Sequence, residues 1–315
     1  MTRIAVVIAA VFVFATAVPT LPAQAQNSRS FVSATGLDTN ACTLAAPCRS
    51  FLGAYNKTNA GGEIDVLDTA GYGPLTITHA ISIVNDGGTA SVLIPSGGIG
   101  FTINATGSDA ISLRGLTFEG AGVGLAGIQF NTGQSLTVKN CVIRHVSGDG
   151  ITFTSSISSS LFVSDTLLAD SGGGIALTPI VPIGTPTILA VINRVEVNNS
   201  SGDGILLSGA FGSSGIIVAN VSESVLSGNA TGVGVISSAG ELQAKVTLFH
   251  SVIANNSTGV STNGTTATIT IAQSAVTGNA GSGWANSGGV IQTYQDNYFN
   301  DNGTNTGSLT NVNKL

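Results

Sequence analysis

The chain has 315 residues, a formal net charge of −6 and only 8% charged residues, whereas glycine occupies 42 positions. An acidic chain with few basic residues argues against nucleic acids and anionic membrane surfaces as partners, because both attract clustered lysine and arginine. Helix-favouring Lys, Glu and Met are scarce, so the composition predicts a chain built mostly of strands and tight turns.

The N-terminus has the pattern of a secretory signal peptide. Arg3 supplies a positive charge, residues 4–18 are almost wholly apolar, and Ala-Gln-Ala at 23–25 is a small-x-small cleavage site. The apolar run is shorter than the roughly 20 residues that span a bilayer, and Pro19 follows it at once. We expect residues 1–25 to be a cleaved signal peptide, leaving a secreted or periplasmic protein with no transmembrane segment.

Three cysteines follow, and two of them are close in the sequence. Cys42 and Cys48 bracket a short loop, and an exported protein meets an oxidising compartment, so a disulfide between them is expected. Cys141 lies in a predicted strand and is interpreted as a buried, inert thiol, since free cysteine behaves as a small hydrophobe.

Residues 26–62 are predicted to form an N-terminal cap segment. It contains a short helix at about 47–58, whose Phe51, Leu52 and Tyr55 would plug the end of a solenoid. Such a plug is needed because an uncapped end exposes core residues and strand edges.

From Gly127 to Trp284, a glycine followed by an apolar residue recurs every 23 to 30 residues. The steps are Gly127-Ile128, Gly150-Ile151, Gly174-Ile175, Gly204-Ile205, Gly232-Val233, Gly259-Val260 and Gly283-Trp284. Each unit has room for three short strands and none for a helix. A unit this short cannot bury its apolar side chains alone, so the units must stack. The pattern predicts a triangular, all-β parallel β-helix with a rise of about 4.8 Å per coil.

Asparagine is enriched in one turn of the coil, at Asn229, Asn255, Asn256 and Asn279. Stacked asparagine side chains can form hydrogen bonds along the axis, and asparagine tolerates left-handed backbone angles. We therefore expect these residues to shape a turn that repeats from coil to coil.

Several motifs carry a resemblance to a known family. They are two copies of Ser-Gly-Asp-Gly-Ile at 147–151 and 201–205, the Asn-x-x-x-Gly-hydrophobic steps after them, and an entry segment at 31–51 that includes both clustered cysteines. The chain resembles the right-handed parallel β-helix repeat proteins of the pectin-lyase-like superfamily. The resemblance implies a single right-handed parallel β-helix over 63–315 with a short N-terminal capping helix. It implies no single activity, because that superfamily includes lyases, hydrolases, epimerases and adhesins.

One row of polar residues should stack along a turn of the helix. Its members are Asn140, Asp165, Arg194, Glu223, His250, Gln273 and Asp296. Asp165, Arg194, Glu223 and His250 are the candidate catalytic residues, since carboxylates serve as general bases and arginine or histidine can handle a sugar carboxylate or a proton. The competing interpretation is a surface ladder of alternating charges that offset one another.

A second polar cluster comprises Arg144, His145, Asp149, Asp170 and Asp203. Asp149 and Asp203 fill the same repeat position, but they are separated by two coil rises, or about 10 Å, which is too far for one metal ion to bridge. We interpret these residues as turn residues that the repeat requires.

Aromatic residues gather near the C-terminus. Trp284 and Tyr294 are candidate substrate-binding residues because aromatic rings can stack on sugars, and filling the core or capping the end is the alternative role.

Two functions remain open. The first is a non-catalytic β-helix that binds glycans or a partner, or serves as a surface structural element, and it needs no cofactor or metal. The second is a polysaccharide-acting enzyme, in particular a lyase of acidic glycans using the four candidate residues, for which Ca²⁺ would be the cofactor. The sequence contains neither an Asp-Asp pair nor Gly-His-Gly, and its loops are short, which favours the first.

Overall fold

The computed structural model describes residues 26–181 and 183–313. Over this range the chain winds into a parallel β-helix whose coils present three faces, which confirms the predicted all-β solenoid. The predicted signal peptide at 1–25 lies outside the described residues. In the part of the chain that is described, no helix is long and apolar enough to cross a membrane.

Each face is a stack of parallel strands that pair one coil apart. The first face contains β1 (Asn27–Val32), β2 (Thr58–Val66), β5 (Ile81–Val84), β8 (Ala110–Arg114), β11 (Ser135–Lys139), β14 (Ser159–Ala169), β16 (Thr187–Asn198), β18 (Ile216–Ser222), β21 (Gln243–Phe249), β24 (Ala267–Ala272), β27 (Val290–Thr293) and β29 (Thr310–Asn311). β14 and β16 continue around the first corner onto the second face.

The second face also contains β3 (Ala70–Gly71), β6 (Ala90–Leu93), β9 (Leu116–Gly124), β12 (Val142–Val146), β19 (Val225–Ser227), β22 (Val252–Ala254), β25 (Ala275–Thr277) and β28 (Tyr298–Asn300). After a second corner comes the third face, which contains β4 (Leu75–Ile77), β7 (Ile99–Asn104), β10 (Ala126–Thr132), β13 (Asp149–Phe153), β15 (Gly173–Leu177), β17 (Asp203–Ser208), β20 (Thr231–Ile236), β23 (Thr258–Asn263) and β26 (Ser282–Ser287).

The core is a single column of side chains along the helix axis. Alternate residues of each strand point inwards. Because the strands pair in register, similar side chains stack on one another in successive coils, as Leu136 and Leu161 do. Phe130 and Phe153 stack with ring centroids 4.3 Å apart and planes at 6°. Both phenylalanines are fully buried, and they belong to a single cluster of buried apolar residues that extends from Val32 to Ile291.

The second corner contains an asparagine ladder, made of the buried residues Asn229, Asn256 and Asn279 and the partly exposed Asn302. The backbone N–H and the Nδ2 of Asn229 both donate to Oδ1 of Asn256, at 2.9 and 3.1 Å, and each later rung repeats this step. The predicted hydrogen bonding along the axis is therefore confirmed. Asn255 lies outside the ladder, with an exposed side chain and a left-handed φ of 57°.

A short helix closes the N-terminal end. Helix α1 spans Phe51–Tyr55, and the Ser50 side chain caps it by accepting from the backbone N–H of Gly53. Phe51 and Tyr55 are buried, as expected for a plug, but Leu52 is 52% exposed, so the prediction that it plugs the core was wrong. The helix is also shorter than predicted, because the chain re-enters the sheet at the start of β2.

The three cysteines occupy two environments. Cys42 and Cys48 are joined by a disulfide in the loop beside α1. Cys141 is a free, buried cysteine, and burial raises the pKa of its thiol to about 11. The thiol therefore stays protonated and unreactive at neutral pH.

Candidate functional site

The predicted polar row lies along the first corner, and we call it the first-corner row. Six of its seven predicted members have a left-handed backbone with φ between 47° and 52°: Asn140, Asp165, Arg194, Glu223, His250 and Gln273. This conformation is uncommon for residues other than glycine, and here it turns each coil from the first face to the second. In the last coil the left-handed residue is Gln295 rather than the expected Asp296.

The centre of the first-corner row is an ion-pair network at the surface. Arg194 donates to both carboxylate oxygens of Asp165, Nε at 2.7 Å and Nη2 at 3.1 Å, and its Nη1 lies 3.8 Å from Glu223. The hydrogen bonds from Arg194 hold the pKa of Asp165 below its usual range. The structure thus brings three of the four candidate catalytic residues together, in the arrangement expected of a surface charge ladder.

His250, the fourth candidate, forms part of an exposed aromatic platform. Its ring stacks on Phe249, with centroids 4.0 Å apart and planes at 23°, and Phe249 is 41% exposed. The strand neighbours of Phe249 are the small residues Ser222 and Ala272, which leave its flanks clear. Sequence reasoning missed Phe249, although an aromatic residue directly before a row position was a visible signal.

The second polar cluster lies at the second corner, around a carboxylate that the sequence did not single out. Glu119 accepts from Nδ1 of His145 at 2.9 Å and Nε of Arg144 at 2.8 Å, and Nε2 of His145 lies 3.8 Å from Asp170. Partial burial acts to raise the pKa of Glu119, but hydrogen bonds from the Ala121 N–H, His145 and Arg144 outweigh it, so the pKa is lowered. The in-register pairing of Glu119 with Arg144 was the signal that would have found it.

Asp149 and Asp203 lie beside this cluster, at the start of third-face strands. The Asp149 carboxylate occupies the space that a side chain at Gly173 would need, which explains the glycine between the two acidic positions. Burial raises the pKa of both carboxyl groups, and the nearby charge of Asp203 raises that of Asp149 further.

Replacing Asp149 with asparagine should stabilise the protein at neutral pH. When folding raises the pKa of a carboxyl group, the folded state holds the proton more tightly than the unfolded state does. The folded protein then loses stability as the pH rises from the pKa of the unfolded state through the pKa of the folded state. At pH 7 we expect the thermal unfolding midpoint of the variant to be a few degrees higher than that of the parent. At about pH 3, where Asp149 and Asp203 are both protonated in the parent, we expect nearly equal midpoints. Calorimetric scans at the two pH values check this, and equal midpoints at pH 7 would contradict it.

The C-terminal aromatic residues do not form one surface. Trp284, in β26 on the third face, packs edge-to-face with Phe299, with ring centroids 5.3 Å apart. Both side chains are partly buried and pack against the core. Tyr294 follows β27, so it lies near the first corner instead. The two candidate substrate-binding residues therefore belong to different faces of the helix.

Two cavities lie near the two ends of the solenoid. One, of about 300 Å³, is lined by Gln26, Asn27, Thr39, Asn40, Ala41, Asn56 and Lys57. The other, of about 210 Å³ and called the end pocket below, is lined by Trp284, Phe299, Asn300, Asp301, Asn302 and Asn305. Over residues 26–181 and 183–313, no three His, Cys, Asp or Glu side chains form a group that could hold a metal ion.

A family model described as the right-handed β-helix region matches residues 100–276. This span exceeds half of the chain. The chain belongs to the right-handed β-helix family. The predicted fold and the resemblance to right-handed parallel β-helix repeat proteins are thereby confirmed. No curated protein sequence matches the chain.

Solved structures of this β-helix type are similar to the chain. Pectate lyase Pel9A matches with a TM-score of 0.54 and 16% identity, over 92% of this chain and 78% of its own. A rhamnogalacturonan lyase matches with a TM-score of 0.45 and 10% identity, over 85% and 73%. The A-module of the mannuronan C-5 epimerase AlgE4 from Azotobacter vinelandii matches with a TM-score of 0.38 and 14% identity, over 81% and 91%. At these identities the match to Pel9A establishes the shared fold alone.

Proposed function

We propose that this β-helix is an exported, non-catalytic glycan-binding protein that holds its ligand on the aromatic platform of Phe249 and His250. The observation that carries the proposal is this exposed, stacked pair beside the charged centre of the first-corner row. An aromatic face offers a broad apolar surface to the C–H groups of a sugar ring. Glu223 and Arg194, in the preceding coils, supply an acceptor and donors for sugar hydroxyl or carboxyl groups.

The state of the candidate catalytic residues supports a binding role. Asp165 and Arg194 are hydrogen-bonded to each other, and the lowered pKa of Asp165 moves it away from the range in which a general base works best. Arg194 and Glu223 are about half exposed, so water screens their charges and competes for their hydrogen bonds.

Two observations support the partner class and the compartment. Pectate lyase Pel9A, which shares the fold, is named for action on a polysaccharide, and a polysaccharide is the partner that we propose here. The Cys42–Cys48 disulfide suits an oxidising, extracytoplasmic location, as does the signal-peptide pattern at 1–25.

A lyase of acidic glycans is the alternative, and the similarity of fold to Pel9A is the observation that favours it. In that case Asp165, Arg194, Glu223 and His250 would act on the polymer, with Ca²⁺ as cofactor.

Retention on immobilised neutral and acidic polysaccharides tests the proposal. We expect Phe249→Ala to weaken retention at least tenfold, since the loss of a stacking ring costs about 1 kcal/mol or more and the neighbouring sugar contacts weaken with it. Phe162→Ala is the matched control, because Phe162 lies on the same face with a similar exposure of 43% but several coils away. Retention should be unchanged in that variant.

Equal retention by the parent and Phe249→Ala would refute the proposed platform. The lyase alternative is tested in parallel by the absorbance of unsaturated products from pectate and alginate, with and without calcium. Product formation by the parent that Arg194→Ala abolishes would replace the binding role with catalysis.

A further inference from the structure

The asparagine ladder ends in an incomplete rung. In the buried rungs, the backbone N–H and one Nδ2–H of each asparagine donate to Oδ1 of the asparagine one coil towards the C-terminus. The second Nδ2–H donates to a backbone carbonyl of the preceding coil, as from Asn256 to Leu226.

Asn302 makes only the hydrogen bonds of this pattern that join it to the preceding coils. Its Oδ1 accepts from the backbone N–H and the Nδ2 of Asn279, and its Nδ2 donates to the carbonyl of Val276 at 2.8 Å. No further rung follows within residues 303–313. Residues 303–313 therefore supply no next rung to accept from the backbone N–H and the second Nδ2–H of Asn302.

Asn302 lines the end pocket together with other polar side chains. Asn305 accepts from the backbone N–H of Gly283 and Trp284 through Oδ1, which orients its amide. Asp301 contributes a carboxylate whose Oδ2 is held by Asn300 at 2.8 Å.

The Trp284 ring forms one wall of the pocket. Its Nε1 donates to the carbonyl of Gly307 at 3.2 Å, and its ring makes an edge-to-face contact with Phe299. A rigid indole ring of this kind binds a ligand without losing side-chain freedom.

We propose that the end pocket binds one neutral sugar ring, held by the polar and aromatic side chains that line it. The Asn302 and Asn305 amides donate to sugar oxygens, the Asp301 carboxylate accepts from sugar hydroxyls, and the Trp284 ring packs against the apolar face of the sugar. A neutral sugar fits better than a uronate, because the carboxylate of Asp301 repels a second negative charge in the same pocket.

The small volume of the pocket suits a single ring. At about 210 Å³ it is smaller than the roughly 300–1,000 Å³ of pockets that enclose drug-sized ligands. This site is separate from the Phe249–His250 platform, and neither requires the other.

The fluorescence of Trp284 provides the test, because it is the only tryptophan in the chain. Methyl glycosides of glucose, galactose and mannose, and galacturonic acid as the acidic counterpart, are titrated into the full mature chain. We expect a saturable change with at least one neutral glycoside, with a Kd on the order of 1 mM, and a weaker response to galacturonic acid.

Asp301→Asn is the decisive variant. Asn tolerates the left-handed φ of 51° at this position, so the backbone should stay unchanged while the charged acceptor is lost. Affinity for the neutral glycoside should fall at least tenfold. Asp170→Asn is the matched control, because Asp170 has the same backbone conformation at the same corner, several coils away. The affinity of this variant for the neutral glycoside should equal that of the parent.

Three results would overturn the inference: no saturable change with any neutral glycoside, an unchanged Kd in Asp301→Asn, or tighter binding of galacturonic acid than of every neutral sugar. Phe249→Ala separates this site from the platform. The variant should keep the full Trp284 fluorescence response to the neutral glycoside. Failure of the end-pocket proposal can therefore be distinguished from failure of the platform proposal.

Discussion

Replacing Asn256 with alanine is expected to destabilise the protein by about 4 kcal/mol. Asn256 accepts two hydrogen bonds from Asn229, and its Nδ2 donates to Leu226 and to Asn279. Alanine leaves the Asn229 donors and the Leu226 carbonyl buried without partners, and each such group costs about 1–3 kcal/mol. The loss exceeds that of an average point mutation because several groups lose their partner at once.

Equilibrium unfolding in urea measures this effect, with Asn255→Gly as the matched control. Asn255 is adjacent but exposed, and its φ of 57° suits glycine, so we expect a change within about 0.5 kcal/mol. A similar loss of stability in both variants would mean that the ladder does not hold the coils together.

Replacing Gly174 with alanine is expected to cost about 3 kcal/mol, for a steric reason. A Cβ at this position would lie 2.2 Å from the backbone oxygen of Gly204 and 2.4 Å from Cγ1 of Val197. The nearer atom belongs to the backbone of the next coil, so relief requires the two coils to move apart, and overpacking of this kind costs about 1–3 kcal/mol or more. Other glycines of the repeated Gly-hydrophobic step, such as Gly127 and Gly259, also approach the next coil closely.

The unfolding free energy of Gly174→Ala should be compared with that of Gly87→Ala. A Cβ at Gly87 would meet no atom within 4 Å, so that substitution should be neutral or slightly stabilising through the unfolded chain. Equal stabilities of Gly174→Ala and the parent would show that the repeated glycine is not required by coil spacing.

The fold was predictable because its determinants repeat in the sequence. Gly174 recurs because the coil spacing leaves no room for a side chain, and Asn256 recurs because each rung needs the next. Parallel in-register pairing then converts equal spacing in the sequence into vertical stacking, which is why repeat spacing alone is enough to place Asp165 and Arg194 in one row.

Features that depend on side-chain direction were not predictable in the same way. Leu52 lies within a helix predicted to be a plug, yet it faces solvent, because only one side of a five-residue helix can meet the core. Trp284 and Tyr294 are close in sequence, but the chain turns a corner between them, so they lie on different faces. Glu119 was missed because its partners, Arg144 and His145, belong to the following coil.

The first and the last described coils differ in how firmly they are held to the rest of the solenoid. Coils touch only their immediate neighbours, so a coil detaches most readily where it has a neighbour on one side alone. The N-terminal coil is secured by α1 and the Cys42–Cys48 bridge, whereas the last strands, β28 and β29, are two to three residues long. Within the described solenoid we therefore expect local opening at β28 and β29 before the N-terminal coil opens, and a protease acting on the native protein should cleave there first.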